Sequence, residues 1–252
     1  MTEKIKFKNN QGHNLAALLE IPEEKPLGYA IFAHCFTCNK NLTAVHNIGK
    51  ALNSKGIAVL RFDFTGLGES EGDFEDTNFT SNVDDLIAAA KFLEQNYEAP
   101  AILIGHSLGG SAVLLAKQQI PSIKAIATIG APSNPEHVAN LFNDSVEEIL
   151  ENGEAQLSIG GRPFKIKEQF LHDIKSIKIE DAITNLGVPL MIFHSPIDKT
   201  VGVNNAANIY KTAKHPKSFL SLDKADHLLS NRDDSEFVGL MIAAWSKRYL
   251  EN

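Results

Sequence analysis

The segment IGHSLGG, residues 104–110, constrains the fold of this chain more than any other part of the sequence. It follows a short apolar run at residues 101–105, which predicts a strand, and it precedes a helical pattern at residues 109–118. A strand-to-helix turn with a glycine two positions on either side of a serine is sharp, and it holds the serine in a strained conformation with its hydroxyl exposed. Ser107 is therefore predicted at the N-terminus of a helix, whose dipole favours developing negative charge.

Apolar runs and helical patterns alternate along most of the chain, which favours parallel βαβ units with helices on both faces of a sheet. The predicted strands are residues 4–7, 15–21, 29–33, 57–62, 101–105, 123–129, 189–194 and 218–222, and the predicted helices are residues 43–54, 79–95, 109–118, 203–211 and 236–249. The first two strands flank a tight-turn signal and are expected to be antiparallel. The sequence predicts one α/β domain over residues 1–252 with a mostly parallel central sheet.

Residues 133–186 interrupt this alternation. They lack a clear buried strand and carry mixed helical patterns around the pair Gly160-Gly161. We interpret them as a small insertion over the C-terminal edge of the sheet, where ligands bind in folds of this kind. A cap or lid over the site is the functional interpretation, and a decorative surface insertion is the alternative.

A serine hydroxyl becomes a nucleophile when a base takes its proton, and an acid orients that base. In a chain with this strand-to-helix turn, the acid and then the histidine are expected further along, each after a strand. Asp198 and His227 follow the last two predicted strands in that order. Ser107, His227 and Asp198 are the predicted nucleophile, base and orienting acid. Asp223 and Asp226 are rivals for the acid, but they lie too near His227 and follow the wrong strand.

Two backbone amides are expected to stabilise the oxyanion that such chemistry creates. One is the amide of Leu108, next to the nucleophile, and the other is the amide of Phe36, in the loop after the strand at residues 29–33. Cys35 and Cys38, the only cysteines of the chain, spell C-x-x-C in this loop. A redox-active disulfide that alters the Phe36 amide is one interpretation, and plain buried thiols are the one we favour.

Composition excludes several classes of function. The formal charge of −7 is not that of a nucleic-acid binder, which is expected to carry an excess of basic residues. The same negative charge argues against anionic membranes as partners. No bound metal is expected because a zinc site needs two more ligands than the cysteine pair supplies. No cofactor is expected either, since the glycines of TGLGES do not complete a G-x-G-x-x-G motif. The chain shows no signal peptide and has few cysteines, so we expect a cytoplasmic protein.

Several segments together resemble the hydrolase part of bifunctional α/β-hydrolase/OsmC-type proteins, over essentially the whole chain. They are AHCFTCNKN, LRFDFTGLGES, IGHSLGG, IGGRPFKI, HSPIDKTVG and KADHLL. The resemblance implies an α/β-hydrolase fold and esterase-like activity with Ser107, Asp198 and His227 as the triad. In that family an OsmC-like, peroxiredoxin-type domain follows the hydrolase. This chain stops at Asn252, so we expect that domain to be absent here and an OsmC-like partner to be one candidate.

The sequence thus predicts a serine carboxylesterase that cleaves small, short-chain acyl esters through an acyl-enzyme. Thioester or amide hydrolysis by the same triad is an open alternative. So is a non-catalytic protein of the same fold that senses a ligand or docks to a partner. The sequence leaves open whether the protein forms a homo-oligomer.

Overall fold

A mostly parallel sheet is the centre of the computed structural model, which describes residues 1–142 and 145–251. The strands of the described residues are β1 (Thr2–Lys8), β2 (Asn14–Glu20), β3 (Gly28–Ala33), β4 (Ile57–Phe62), β5 (Ile102–His106), β6 (Ala125–Ile129), β7 (Glu154–Ile159), β8 (Arg162–Lys167), β9 (Leu190–His194) and β10 (Lys217–Ser221). Eight of them form the sheet in the order β1-β2-β4-β3-β5-β6-β9-β10. Its antiparallel pairs are β1 with β2 and β2 with β4. The predicted fold class is confirmed.

Helices cover both faces of this sheet. They are α1 (Thr43–Asn53), α2 (Phe79–Asn96), α3 (Leu108–Ala116), α4 (Ser145–Asn152), α5 (Glu168–Ser176), α6 (Ile179–Thr184), α7 (Asn204–Thr212) and α8 (Arg232–Leu250). One cluster of buried apolar side chains joins α1 and α8 to one face, and another joins α2, α3 and α7 to the opposite face. None of the described helices combines the length and the apolar composition needed to cross a membrane.

The central strands are buried throughout and mostly apolar because they are covered on both faces. All residues of β3, β4, β5, β6 and β9 are buried. Successive side chains point to opposite faces, so Ile31 packs in the cluster with α2 and α3 while Phe32 packs in the cluster with α1 and α8. The unbroken apolar runs that predict these strands are the expected signature of a doubly covered parallel sheet.

Helix ends follow local caps more closely than the apolar pattern. Helix α2 begins at Phe79, as predicted, because Asn78 and Ser81 form a reciprocal capping box. Helix α8 begins at Arg232, four residues before the predicted start at residue 236. The side chain of Asn231 accepts a hydrogen bond from the Asp233 amide and caps the helix there.

The structure differs from the sequence interpretation in the insertion, residues 133–186. Strands β7 and β8 form an antiparallel hairpin here, and Gly160 and Gly161 form its turn with φ of 58° and 77°. Two consecutive positive φ angles are what a tight hairpin turn requires, and glycine adopts them readily. Exposed and buried residues alternate along β7. This period of two in EAQLSI is the signal that predicts a strand, so the expectation that the insertion lacks a clear strand is wrong here.

Candidate active site

Ser107 occupies a sharp turn between β5 and α3. Its backbone has φ of 54° and ψ of −128°, a conformation that is strained for a residue with a side chain. A Cβ atom on Gly105 would lie 2.3 Å from the carbonyl oxygen of Gly109, and one on Gly109 would lie 2.4 Å from the carbonyl oxygen of His34. The missing side chains therefore let α3 press against β5 and against the loop after β3, and this contact holds the serine in place.

The three residues predicted as a triad lie in one chain of hydrogen bonds. The Nδ1 atom of His227 is 2.7 Å from Oδ2 of Asp198, and its Nε2 atom is 3.0 Å from Oγ of Ser107. A carboxylate only accepts hydrogen bonds, so Nδ1 carries the proton of the neutral ring and Nε2 accepts from the serine hydroxyl. This arrangement lets the imidazole receive the serine proton.

Asp198 lies in the loop after β9 and is held by that loop's own backbone. Its Oδ1 atom accepts hydrogen bonds from the amides of Thr200 at 2.8 Å and Val201 at 2.9 Å. Burial by itself would raise the pKa of this carboxyl. The hydrogen bond and the charge of His227, together with the two amides, outweigh burial and hold the pKa below its usual value. The rival acid Asp226 accepts hydrogen bonds from Ser230 instead.

Two further histidines, which the sequence analysis did not single out, support these loops. His106 is the last residue of β5, and its Nε2 lies 2.7 Å from the carbonyl oxygen of His227. His194 is the last residue of β9, and its Nε2 lies 2.7 Å from the carbonyl oxygen of Val201. Burial, together with the charge of His227, lowers the pKa of His106 to about 3, and burial also lowers the pKa of His194. Both rings are therefore neutral near pH 7 and donate an N–H to these carbonyls.

The loop after β3 brings Phe36 to the same pocket as Leu108. Neither amide donates to an acceptor anywhere in the described part of the chain. Phe36, Leu108 and Ser107 line one small pocket of about 30 Å³. Unpaired backbone N–H groups that border a nucleophile are the groups that an oxyanion hole requires.

The ring of Phe36 is wedged among aromatic side chains. Its centroid lies 5.5 Å from that of Phe74, 6.1 Å from that of Phe142 and 5.2 Å from that of Phe170. Phe142 and Phe170 belong to the insertion. The insertion therefore packs directly on a residue that lines the pocket beside Ser107.

Cys35 and Cys38 form a disulfide, so the interpretation as plain buried thiols is wrong for this structure. The Cys38 amide donates to the Cys35 carbonyl at 3.1 Å, and Thr37 between them has φ of 61°. This tight turn brings the two Cα atoms within 5.3 Å, a separation that suits a disulfide. The bond closes a small ring around Phe36.

Buried charges anchor the far end of this loop. The Lys40 ammonium lies 2.5 Å from Oδ2 of Asp63 and 2.6 Å from a carboxylate oxygen of Glu69. The backbone amide of Lys40 also donates to Asp63, and the Lys40 carbonyl accepts from the Arg61 guanidinium. Lys40 is only 2% exposed, and burying a charge is costly unless it is paired and hydrogen-bonded as it is here.

The hydroxyl of Ser107 opens into a cleft of about 710 Å³. Its walls are the loop from Cys35 to Thr43, the predicted triad residues Ser107 and His227, and the tip of the β7–β8 hairpin from Ile159 to Arg162. The insertion thus borders this cleft. Movement of this hairpin as a lid remains a prediction.

Residues 28–174, more than half of the chain, match the family model described as serine aminopeptidase, S33. The chain belongs to this family of α/β-hydrolases. The esterase domain of a Rhodothermus marinus protein is 50% identical to it, with a TM-score of 0.82 and a match over 99% of both chains.

Other relatives are more distant. The human palmitoyl-protein thioesterase ABHD10, mitochondrial, is 27% identical over 167 residues, which are 66% of this chain and 51% of the relative. The chain therefore spans about half the length of the curated relatives it matches. Est1E of Butyrivibrio proteoclasticus with ferulic acid bound is 22% identical, has a TM-score of 0.80 and matches over 98% of this chain and 100% of Est1E, which shows the fold alone. The family is one of hydrolases, with esterases and thioesterases among the relatives.

The close approach of α3 predicts that Gly109→Ala destabilises this hydrolase by about 1–3 kcal/mol, because the new methyl group meets rigid backbone. Gly202→Ala is the matched control, since nothing lies within 4 Å of its Cβ position. We expect that control to change the free energy of unfolding by less than about 0.5 kcal/mol. Urea unfolding of both variants measures the difference. Equal stability of the Gly109→Ala variant and the wild type would contradict this account of the turn.

Proposed function

We propose that the protein is a serine carboxylesterase that cleaves short-chain acyl esters, with Ser107 as nucleophile, His227 as base and Asp198 as orienting acid. The observation that carries the proposal is the unbroken chain of hydrogen bonds from Asp198 through His227 to Ser107, at the base of an open cleft. The 50% identical esterase domain supports ester hydrolysis as the reaction.

The proposed reaction has two steps. His227 takes the Ser107 proton as Oγ bonds to the ester carbonyl carbon, and the amides of Phe36 and Leu108 bind the oxyanion. The carbon–oxygen bond to the leaving group then breaks, and His227 gives its proton to the departing alcohol. Water repeats the sequence on the acyl-enzyme and releases the acid. Each oxyanion donor contributes about 3 kcal/mol to such reactions, and the proton relay contributes about 10²–10⁴-fold.

Asp198 stays ionised throughout this cycle. Its lowered pKa means that it does not take the proton from His227 when the imidazolium forms near neutral pH. Its negative charge stabilises that imidazolium, and its hydrogen bond keeps the ring in the tautomer that presents Nε2 to the serine.

The pocket beside Ser107 supports a short acyl group. The leaving atom must lie next to His227 to receive its proton, so the acyl group has to point away from this ring. The small pocket is lined by Ser107 and Leu108 but not by His227, and its volume is about 30 Å³. This is space for little more than a water molecule or a short alkyl group.

Thioester hydrolysis is the second candidate, because curated relatives are named palmitoyl-protein thioesterases. The same triad would attack a thioester carbonyl. A palmitoyl chain would have to lie in the large cleft rather than in the small pocket.

The cytoplasmic location, the homo-oligomer and the OsmC-like partner remain predictions. The thioesterase relatives carry the word mitochondrial in their names.

Hydrolysis of p-nitrophenyl acetate, butyrate and octanoate by the wild type and by Ser107→Ala tests the proposal. We expect the rate to fall with chain length and the variant to lose about 10⁴-fold or more in kcat. Ser158→Ala is the control, because this serine is exposed on β7. Equal rates for the wild type and Ser107→Ala would overturn the serine mechanism. Faster cleavage of a palmitoyl thioester than of acetate esters would favour the second candidate.

The disulfide makes a separate prediction about the proposed oxyanion hole. Reduction of the Cys35–Cys38 bond frees the turn that carries Phe36. A small displacement of a catalytic group lowers the reaction rate strongly. We expect kcat for p-nitrophenyl acetate to fall by about tenfold on reduction. The double variant Cys35→Ser, Cys38→Ser is expected to be equally slow and insensitive to reductant. An unchanged kcat after verified reduction would show that the disulfide does not position this amide.

A further inference from the structure

The two spaces around Ser107 divide a substrate into two parts. The small pocket takes the acyl group under the proposed function. The cleft of about 710 Å³ is lined by Ser107 and also by His227 and Leu228. Because His227 protonates the leaving atom, the leaving group has to extend into this cleft. The structure therefore offers far more room to the leaving group than to the acyl group.

Arg162 is the one residue with a permanent charge among the described residues that line this cleft. It is the first residue of β8, at the tip of the insertion hairpin. Its guanidinium donates through Nη2 to the Thr37 carbonyl and lies 5.4 Å from the ring centre of Phe164. These contacts hold the cation beside the loop that carries Phe36.

The charge of Arg162 is not neutralised by a carboxylate within the described residues. The other cations of β8 are paired, since Lys165 lies 3.3 Å from Glu154 and Lys167 lies 2.6 Å from Asp76. An arginine has five N–H donors, and one of them serves Thr37. The remaining donors of Arg162 are available to a ligand.

The field of this cation reaches the loop beside the serine. Burial is the main reason that the pKa of His34 is lowered to about 4, and the positive charges of Lys40 and Arg162 contribute to the same direction. The whole chain has a formal charge of −7, which repels anions in general. Arg162 is an exposed residue on the wall of the cleft, and its guanidinium has no carboxylate partner among the described residues, so it attracts anions locally despite that repulsion.

We propose that Arg162 binds an anionic group, a carboxylate or a phosphate, on the leaving group of the substrate. The inference rests on the proposed function. It narrows the substrate to short-chain esters of alcohols or phenols that carry a carboxylate or a phosphate. The planar guanidinium matches the two oxygens of either anion. The bound anion would be released with the alcohol, while the short acyl group stays on Ser107 until water removes it.

A matched pair of acetate esters tests this assignment. The probes are 4-acetoxybenzoate and 4-acetoxybenzamide, which share the acetyl group and differ in the charge of the leaving group. The ratio of kcat/KM for the two esters is measured for the wild type, Arg162→Gln and Arg162→Glu. Lys165→Gln is the control, because this half-buried lysine of the same strand does not line the cleft. A third ester, 4-acetoxyphenyl phosphate, compares phosphate with carboxylate.

We expect Arg162→Gln to lower the ratio of the anionic to the neutral ester by about tenfold, as loss of a charge-assisted hydrogen bond does. Arg162→Glu should lower it further, and Lys165→Gln should leave both rates unchanged. A ratio that is the same in the wild type and Arg162→Gln, for the carboxylate and for the phosphate, would overturn the inference. That outcome is distinct from failure of the proposed function, in which the wild type would cleave none of the three esters.

Discussion

Ser107 adopts a left-handed backbone conformation between β5 and α3, and the site is arranged around this one strained residue. The strain persists because the surrounding packing leaves no alternative. Gly105 and Gly109 let strand, helix and the loop after β3 meet at distances that no side chain would permit. The same contact that positions the serine hydroxyl also brings the loop of Phe36 to its side.

The parallel sheet explains why residues distant in sequence meet at this point. The C-terminal ends of β3, β5, β9 and β10 lie along one edge, and each supplies a part of the site. His106 and His194 end two of these strands and hydrogen-bond to the loops that carry His227 and Asp198. Because burial keeps both rings neutral, they support these two loops without adding charge to them.

The sequence predicts the features that depend on local pattern. The apolar runs give the central strands, and the order of Ser107, Asp198 and His227 after those strands gives the residues that meet in the structure. Contacts between side chains that are distant in sequence cannot be predicted from such local patterns. The packing of Phe36 on Phe170, the anchoring of Lys40 by Asp63 and the contact of Arg162 with Thr37 join segments whose spacing carries no signal. The hairpin of the insertion is different, because the sequence itself carries its signals. Polar and apolar residues alternate along β7, and the Gly160-Gly161 pair marks the turn.

Covalent labelling tests the central claim, that this constrained serine is an activated nucleophile. The intact protein would be treated with diisopropyl fluorophosphate, and the labelled peptide would be mapped by mass spectrometry. The account predicts one adduct per chain, on Ser107, and strongly slowed labelling in His227→Ala, because the hydroxyl then has no base. Absence of an adduct, or an adduct on a different residue, would contradict the claim that the hydrogen-bonded chain activates Ser107.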